Sequence, residues 1–281
     1  MTRPYRRWED WLDRLVDDEI HDRMAGVGIE TNEYGYDRWG ASPRAAARTL
    51  ALVRVLYRHY FRVEAHGLDH VPSGRVLLIG NHSAQLAYDG MLIAASFVLD
   101  AEPPRFVRAM IERFFANPPF VNVMMARMGQ LIGIPQNCKR LLSEDEAAVL
   151  VFPEGERGGG KVFKNRYKLM GFGHGFMRLA LETQTPIVPF GFIGGEEMCP
   201  SFSRMEPLAR LLGMPYAPLT PTLLPLPLPA KVHIWFGEPL HFEGTGTEED
   251  DVVAGYVAQV EDAVRTLIDR GLGQRKGVFF T

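Results

Sequence analysis

The sequence predicts an α/β fold: a single, mainly parallel β-sheet flanked by helices and preceded by an N-terminal helical pair. Three observations predict it. Short continuous apolar runs such as Val76–Ile79, bounded by Gly74 and Gly80, read as strands buried on both faces. From Val63 onward such runs alternate with stretches of helical apolar spacing. No internal repeat and no Ser/Gly linker divides the 281-residue chain, which is long enough for one large core. The organisation expected is a helical extension over 1–62, possible to turn toward a membrane, an α/β core over 63–245, and a closing helix and tail over 246–281.

Trp8, Trp11, Leu12, Leu15, Val16 and Ile20 recur at helical spacing, with Glu9, Asp10, Asp13, Arg14, Asp17 and Asp18 opposite them. This predicts one amphipathic helix with an acidic outer side, followed by a Gly- and Tyr-rich link from Gly26 to Gly40. Ser42 as N-cap and Pro43 at the first helical position start a second helix. That helix mixes Leu50, Val53, Leu56, Tyr57 and Tyr60 with Arg44, Arg48, Arg54, Arg58 and Arg62. The mixture suits a bilayer face, where guanidinium groups reach lipid phosphates, and equally suits a surface helix packed on the core.

Strands are expected at Arg75–Ile79, Arg105–Ala109, Gln130–Ile134, Ala148–Phe152, Pro186–Phe192 and Lys231–Phe236. Helices are expected at Gly90–Leu99, Val121–Arg127, Cys138–Ala147, Gly173–Glu182, Arg204–Leu212 and Glu249–Arg270. The uncharged stretch Leu211–Ala230 holds six prolines, so it is no ordinary spanning helix, and its part Leu219–Pro229 fits equally a shelter for an acyl chain, a segment that dips into lipid or a rigid extended cover over the sheet.

A formal net charge of −3 argues against bulk nucleic-acid binding. Two widely spaced cysteines, Cys138 and Cys199, suggest neither a disulfide framework nor a zinc knuckle and read as reduced thiols. The N-terminus has no apolar signal-peptide region. A cytoplasmic protein, peripherally associated with a membrane, is the expectation.

Two constellations carry chemistry. His82 lies just past the carboxyl end of the buried run at 76–79, where crevices form in open α/β sheets. Asp89 stands at the expected N-cap of the next helix. On one helix, residues seven apart lie about 10 Å apart along the axis. The pair therefore meets only if Ser83–Tyr88 is a loop that folds the carboxylate back onto the imidazole. Such a carboxylate holds the ring tautomer while the other nitrogen takes a proton. The second constellation is Phe152-Pro153-Glu154-Gly155-Glu156-Arg157-Gly158-Gly159-Gly160-Lys161, after another buried strand. Its glycines permit close backbone approach to a ligand, and Arg157 and Lys161 offer donors to an anion. Val162 after Lys161 rules out a Walker loop.

Asn-His after one buried strand and Phe-Pro-Glu-Gly-x-Arg after a later one resemble the PlsC-type glycerolipid acyltransferases, which use acyl-CoA or acyl carrier protein. The likeness runs from about Val63 to Leu240, through Thr185-Pro186-Ile187-Val188-Pro189 and the Gly237-x-Pro239 strand ending. It implies an acyl-CoA-dependent O-acyltransferase acting on a hydroxyl of a glycerolipid or related lipid alcohol at a membrane surface. His82 is then the general base and Asp89 its partner. Asn81, Glu154, Gly155, Arg157 and Lys161 help bind acceptor or donor phosphates, and Val188 and Pro189 lie near the acyl donor. No metal and no cofactor beyond the acyl donor is required.

Two departures bear on the substrate. Six residues separate His82 from Asp89, where the family usually has four, which marks a longer-loop subgroup. The family's Gly-x-x-Phe-x-x-Arg motif is poorly matched by Gly133–Arg140, leaving Lys139 or Arg140 as substitutes and making a neutral acceptor plausible. Glu156 beside Arg157 is positioned to pair with it and weaken phosphate binding. Phe120, Met124, Met125 and Met128 fit either core packing or an acyl tunnel. Two other readings remain open: an acyl-CoA thioesterase or lipid hydrolase, against which no G-x-S-x-G elbow is found, and a non-catalytic lipid-binding protein.

Overall fold

A computed structural model describes residues 11–83, 88–116, 120–204, 218–221 and 226–279. In chain order its elements are α1 (Asp18–Val27), α2 (Pro43–Val55), β1 (Glu64–His66), β2 (Val76–Gly80), α3 (Tyr88–Leu99), β3 (Val107–Ile111), α4 (Val121–Arg127), β4 (Leu131–Ile132) and α5 (Pro135–Glu144). There follow β5 (Ala148–Val151), α6 (Glu156–Gly159), α7 (Gly175–Thr183), β6 (Ile187–Ile193), α8 (Gly195–Met198), β7 (Ser203–Arg204), β8 (Pro218–Leu219), β9 (His233–Phe236) and α9 (Asp250–Gln274).

Seven strands form one sheet in the order β1-β9-β6-β2-β5-β3-β4, while β7 and β8 make a separate antiparallel ribbon. Every pairing in the large sheet is parallel except β6 with β9. All five residues of β2 are buried, because α1, α2 and α3 cover one face of the sheet and α5, α7 and α9 the other. That two-sided burial is why β2 reads as an unbroken apolar run. In α9 the buried Val253, Val257, Val260, Val264, Leu267, Ile268 and Gly271 keep helical spacing along 25 residues. Because β2, β3, β5 and β6 run in one direction, the segments leaving their carboxyl ends gather at one edge of the sheet.

Four expectations need correction. The single N-terminal helix is interrupted: Trp11–Asp13 is helical, the chain turns at 14–15, and α1 restarts after Asp17, whose carboxylate accepts the Ile20 N–H at 3.1 Å. Trp8 lies outside the described residues. Gly28, in the left-handed region at φ 68°, ends α1, so the link begins two residues later than Gly26. Arg204 is in β7 rather than a helix, paired with Pro218, and the rest of the expected 204–212 helix lies outside the described residues. Asp89 sits inside the first turn of α3, not at its cap.

The arginines of α2 and of the segment just after it make ion pairs and hydrogen bonds with protein groups while several stay partly in solvent. Arg48 makes a two-pronged contact with Asp13 at 2.6 and 2.8 Å, and Arg44 joins it at 2.5 Å. Arg54 bridges Asp17 and Glu19, and Arg58 also reaches Glu19. Arg62 donates to the carbonyls of Tyr60, Pro229 and Phe279. Residues 226–230 are pinned where Tyr60 Oη donates to the Pro227 carbonyl at 2.8 Å and the Leu228 N–H to that of Met198 at 2.7 Å, while residues 211–217 and 222–225 of the proline-rich stretch lie outside the described residues. Cys138 and Cys199 are both free and buried, and burial pushes each thiol up to about 12. No described helix is long and apolar enough to cross a membrane.

Candidate active site

β2 delivers His82 to the carboxyl edge of the sheet. Before it, the Asn81 side chain donates to the Phe192 carbonyl at 2.9 Å and accepts the Phe192 N–H at 2.7 Å, which ties the end of β2 to β6. Asn81 is fully buried in this clamp, where it fixes the strand end. Phe152, at the end of β5, stacks on the His82 ring with centroids 4.3 Å apart and planes 21° apart.

His82 Nδ1 lies 2.7 Å from Asp89 Oδ2, so the imidazole and carboxylate are in contact across the long connection. Asp89 is fully buried; Oδ2 also accepts the Ser83 N–H at 2.9 Å and Oδ1 the Gly90 N–H at 2.8 Å. Three donors on one carboxylate fix its orientation and, through it, that of the ring. Burial opposes protonation of His82, but the charge and hydrogen bond of Asp89, with Glu154 and Glu112 beyond, outweigh it and raise the imidazole above its ordinary value. Burial likewise pushes Asp89 up, yet His82 and the two backbone donors carry it below the usual carboxylate range. Each partner stabilises the charged form of the other. The His82 side chain keeps 12% exposure, which leaves the ring reachable from the crevice.

The glycine-rich loop supports His82 from behind. Gly155 takes φ 56°, a backbone region costly for other residues, and α6 begins immediately after it. A Cβ on Gly158 would stand 2.6 Å from Glu154 Cβ and 3.0 Å from His82 Cβ, so only glycine lets α6 lie this close to the histidine. Glu154 is buried and accepts the His82 N–H at 2.9 Å through Oε1 and the Met170 N–H at 2.7 Å through Oε2.

Several residues expected at the ligand play other parts. Lys161 is buried, its ammonium 3.4 Å from Glu154 and 3.7 Å from Glu196, and it donates to the Lys168 carbonyl at 3.0 Å. It is an internal counter-charge rather than part of a phosphate rim. Glu154 is likewise a brace for the loops. Val188 and Pro189 are buried in β6, where they pair in register with Leu78 and Ile79. Lys139 pairs with Glu182 at 2.6 Å, and Arg140 pairs with Glu144 while covering the Trp39 ring, both with side chains about half exposed. Arg157 is exposed and donates to the Gly171 carbonyl at 3.1 Å rather than to Glu156. Phe120 and Met124 are exposed at 83% and 50%, which corrects the core-packing reading for both, while Met128 is half-buried.

Sequence reasoning missed Glu112, one residue past β3. It is half-buried, and burial followed by the charge of Glu156 raises its carboxyl, while His82 pulls the other way. Its only signal was a carboxylate at the end of a strand. Also missed was the second layer: Tyr167 donates to Glu197, Arg275 lies 2.9 Å from Glu197, and buried Glu196, whose carboxyl burial pushes up to about 7, accepts the Tyr167 N–H at 3.1 Å.

Comparison with known proteins decides the family. Residues 62–193 match the family model described as Acyltransferase. An uncharacterized protein of Mycobacterium tuberculosis is 34% identical over 264 residues, covering 89% of this chain and 73% of its own. The chain belongs to the PlsC-type acyltransferase family. A mouse protein described as a DGAT1/2-independent enzyme synthesizing storage lipids is 21% identical over 246 residues, covering 84% of this chain and 68% of its own. The crystal structure of the 1-acyl-sn-glycerophosphate acyltransferase PlsC from Thermotoga maritima shares the fold, with a TM-score of 0.55 at 14% identity, covering 92% of this chain and 88% of that one. The acyltransferase thus places its histidine, its glycine loop and the carboxylates around them at one edge of a PlsC-like sheet.

Proposed function

We propose that this acyltransferase moves a fatty acyl group from acyl-CoA to the hydroxyl of a neutral glycerolipid or related lipid alcohol, with His82 as general base. The observation that carries the reading is the 2.7 Å contact between His82 Nδ1 and the fully buried Asp89. It holds Nδ1 as the donor and leaves Nε2 to accept a proton. The acceptor hydroxyl gives its proton to Nε2 as its oxygen attacks the thioester carbonyl. The C–S bond of the resulting adduct then breaks, and the imidazolium returns the proton to the departing thiolate. A non-catalytic relative would have no need to keep this pair in contact.

The charges around the ring support a neutral acceptor. Lys161, Lys139 and Arg140 are engaged by carboxylates, whereas Glu112 puts negative charge near His82, and Glu156 acts on Glu112 in turn. An anionic phosphomonoester would meet repulsion there, with Arg157 as the motif's remaining cation at the rim. For the membrane surface, support comes from the exposed Phe120, Val123 and Met124 at the start of α4, which follows the carboxyl end of β3 on the same sheet edge as His82. Phe120→Glu with Met124→Glu is expected to reduce co-sedimentation with phospholipid vesicles; unchanged co-sedimentation removes the α4 surface as the contact.

The decisive experiment follows CoA release with mixed lipid acceptors and identifies the acylated product by mass spectrometry. His82→Ala is expected to keep its circular dichroism spectrum and lose about 10²–10⁴-fold in rate. Activity within a few-fold of the parent overturns the mechanism. CoA release that proceeds equally without lipid makes the protein a hydrolase.

A further inference from the structure

At the opposite margin of the sheet from β4, the two outermost strands bring three side chains of a different kind together. Glu64 and His66 are two residues apart on β1 and therefore share a face. Parallel register sets Glu64 directly beside His233 of β9. Glu64 Oε2 lies 3.3 Å from His233 Nδ1 and 3.8 Å from His66 Nε2, and all three ligand atoms fall within 4.8 Å of one another.

We propose that Glu64, His66 and His233 bind a divalent transition-metal ion, with Zn2+ the best chemical fit, and that the ion fastens β1 to β9. Metal–ligand bonds of about 2.0–2.1 Å in a tetrahedron put neighbouring ligand atoms about 3.3–3.5 Å apart, which the Glu64–His233 pair already meets and toward which an ion would draw the other pairs. Two imidazoles and one carboxylate are a donor set that suits zinc better than magnesium or calcium. His66 Nε2 is itself out of contact with solvent and has no hydrogen-bond partner, an arrangement that a metal ion in the cluster would satisfy.

The surroundings fix two of the ligands. The Trp235 ring stacks on His66 with centroids 4.0 Å apart and holds that imidazole, while the His233 ring, 12° from parallel to it, must rotate for both nitrogens to face one ion. Lys231 Nζ stands 2.7 Å from Glu64 Oε1 and so holds the carboxylate with Oε2 toward the imidazoles. Its positive charge also keeps the affinity below that of an all-cysteine structural centre. Burial disfavours protonation of both histidines and keeps them in the neutral, ligating form. Three protein ligands leave the remaining position for water. The cluster lies two strands from β2 at His233 and three at Glu64 and His66, about 10–14 Å across the sheet, so it is separate from His82.

The test titrates chelator-treated, full-length protein with Co2+ and then Zn2+. One Co2+ per chain, with the visible absorption of a tetrahedral or five-coordinate site and displacement by Zn2+, is expected. Zn2+ is also expected to raise the melting temperature. His66→Gln and His233→Gln should each weaken binding at least tenfold and abolish the Zn2+-dependent rise, whereas His59→Gln, at an exposed histidine, should change neither. Should the β-strand variants fail to fold, X-ray absorption of the parent Co2+ complex decides: two imidazoles among the ligands support the site. No stoichiometric uptake, an all-oxygen shell, or binding that survives both substitutions overturns it.

Discussion

On the outside of the helical pair, Asp13 meets Arg44 and Arg48, and Asp17 and Glu19 meet Arg54 and Arg58, with most of these groups partly in solvent. Behind the His82 loop, Lys161 lies between Glu154 and Glu196 with side chains 2%, 0% and 4% exposed. Both clusters pair cations with carboxylates. In the outer one water can replace any partner that is removed, and screening weakens each contact. In the inner one nothing replaces a lost partner, and the same carboxylate that neutralises Lys161 also holds the backbone N–H groups of His82 and Met170. The difference assigns the clusters different work: the inner one shapes the reaction centre, and the outer one joins α2 to the chain before it.

The strongest way to break this comparison is Glu154→Ala. It removes the partner of Lys161 and two backbone acceptors at once, leaving a buried ammonium with Glu196 as its remaining carboxylate. A loss of about 3–5 kcal/mol in denaturant unfolding is expected, together with loss of acyl transfer as His82 loses its brace. A cost as small as that of a surface pair would dissolve the distinction between the clusters.

A smaller change sharpens the electrostatic side. His82 acts as a base only when neutral, and its raised proton affinity means that activity should climb with pH through an inflection above 6.5. Glu112 contributes to that rise without touching the His82–Asp89 contact. Glu112→Gln should therefore move the inflection in kcat/KM to lower pH by a fraction of a unit, with the unfolding midpoint little changed. An inflection that stays in place would show that Glu112 does not sense the ring.

How far these roles could be seen in advance depended on what each residue needs around it. His82 and Asp89 were legible because a buried apolar strand fixes where its end lies, and a polar pair beside that end has few places to go. Glu154 was recognised by its motif but misassigned, since a sequence does not say whether a carboxylate in a glycine loop faces ligand or backbone. Lys161 failed for the same reason: glycines on both sides suggest an open loop, whereas here they let the loop fold inward around the ammonium. β1 escaped notice because Glu-Ala-His has no apolar run of its own and is a strand only by its pairing with β9. The α2 arginines were visible as charges, but their partners on the preceding segment are 31 to 39 residues away, beyond any local pattern.

The outer cluster offers the mildest test. Contact with Arg48 and Arg44 holds Asp13 well below the usual carboxylate range, so its stabilising contribution is present above the ordinary carboxylate pKa and fades as pH falls through the lowered value. Solvent discounts that contribution, because Asp13 is 35% exposed and Arg44 66%. Asp13→Asn should cost no more than about 1 kcal/mol at neutral pH, measured by urea unfolding, and less again in high salt. The same substitution removes one negative charge beside Arg44 and Arg48, so binding to anionic vesicles should increase slightly over the parent. A decrease would mean that the acidic residue itself takes part in membrane contact, and a loss of several kcal/mol would place this cluster in the same energetic class as the one behind His82.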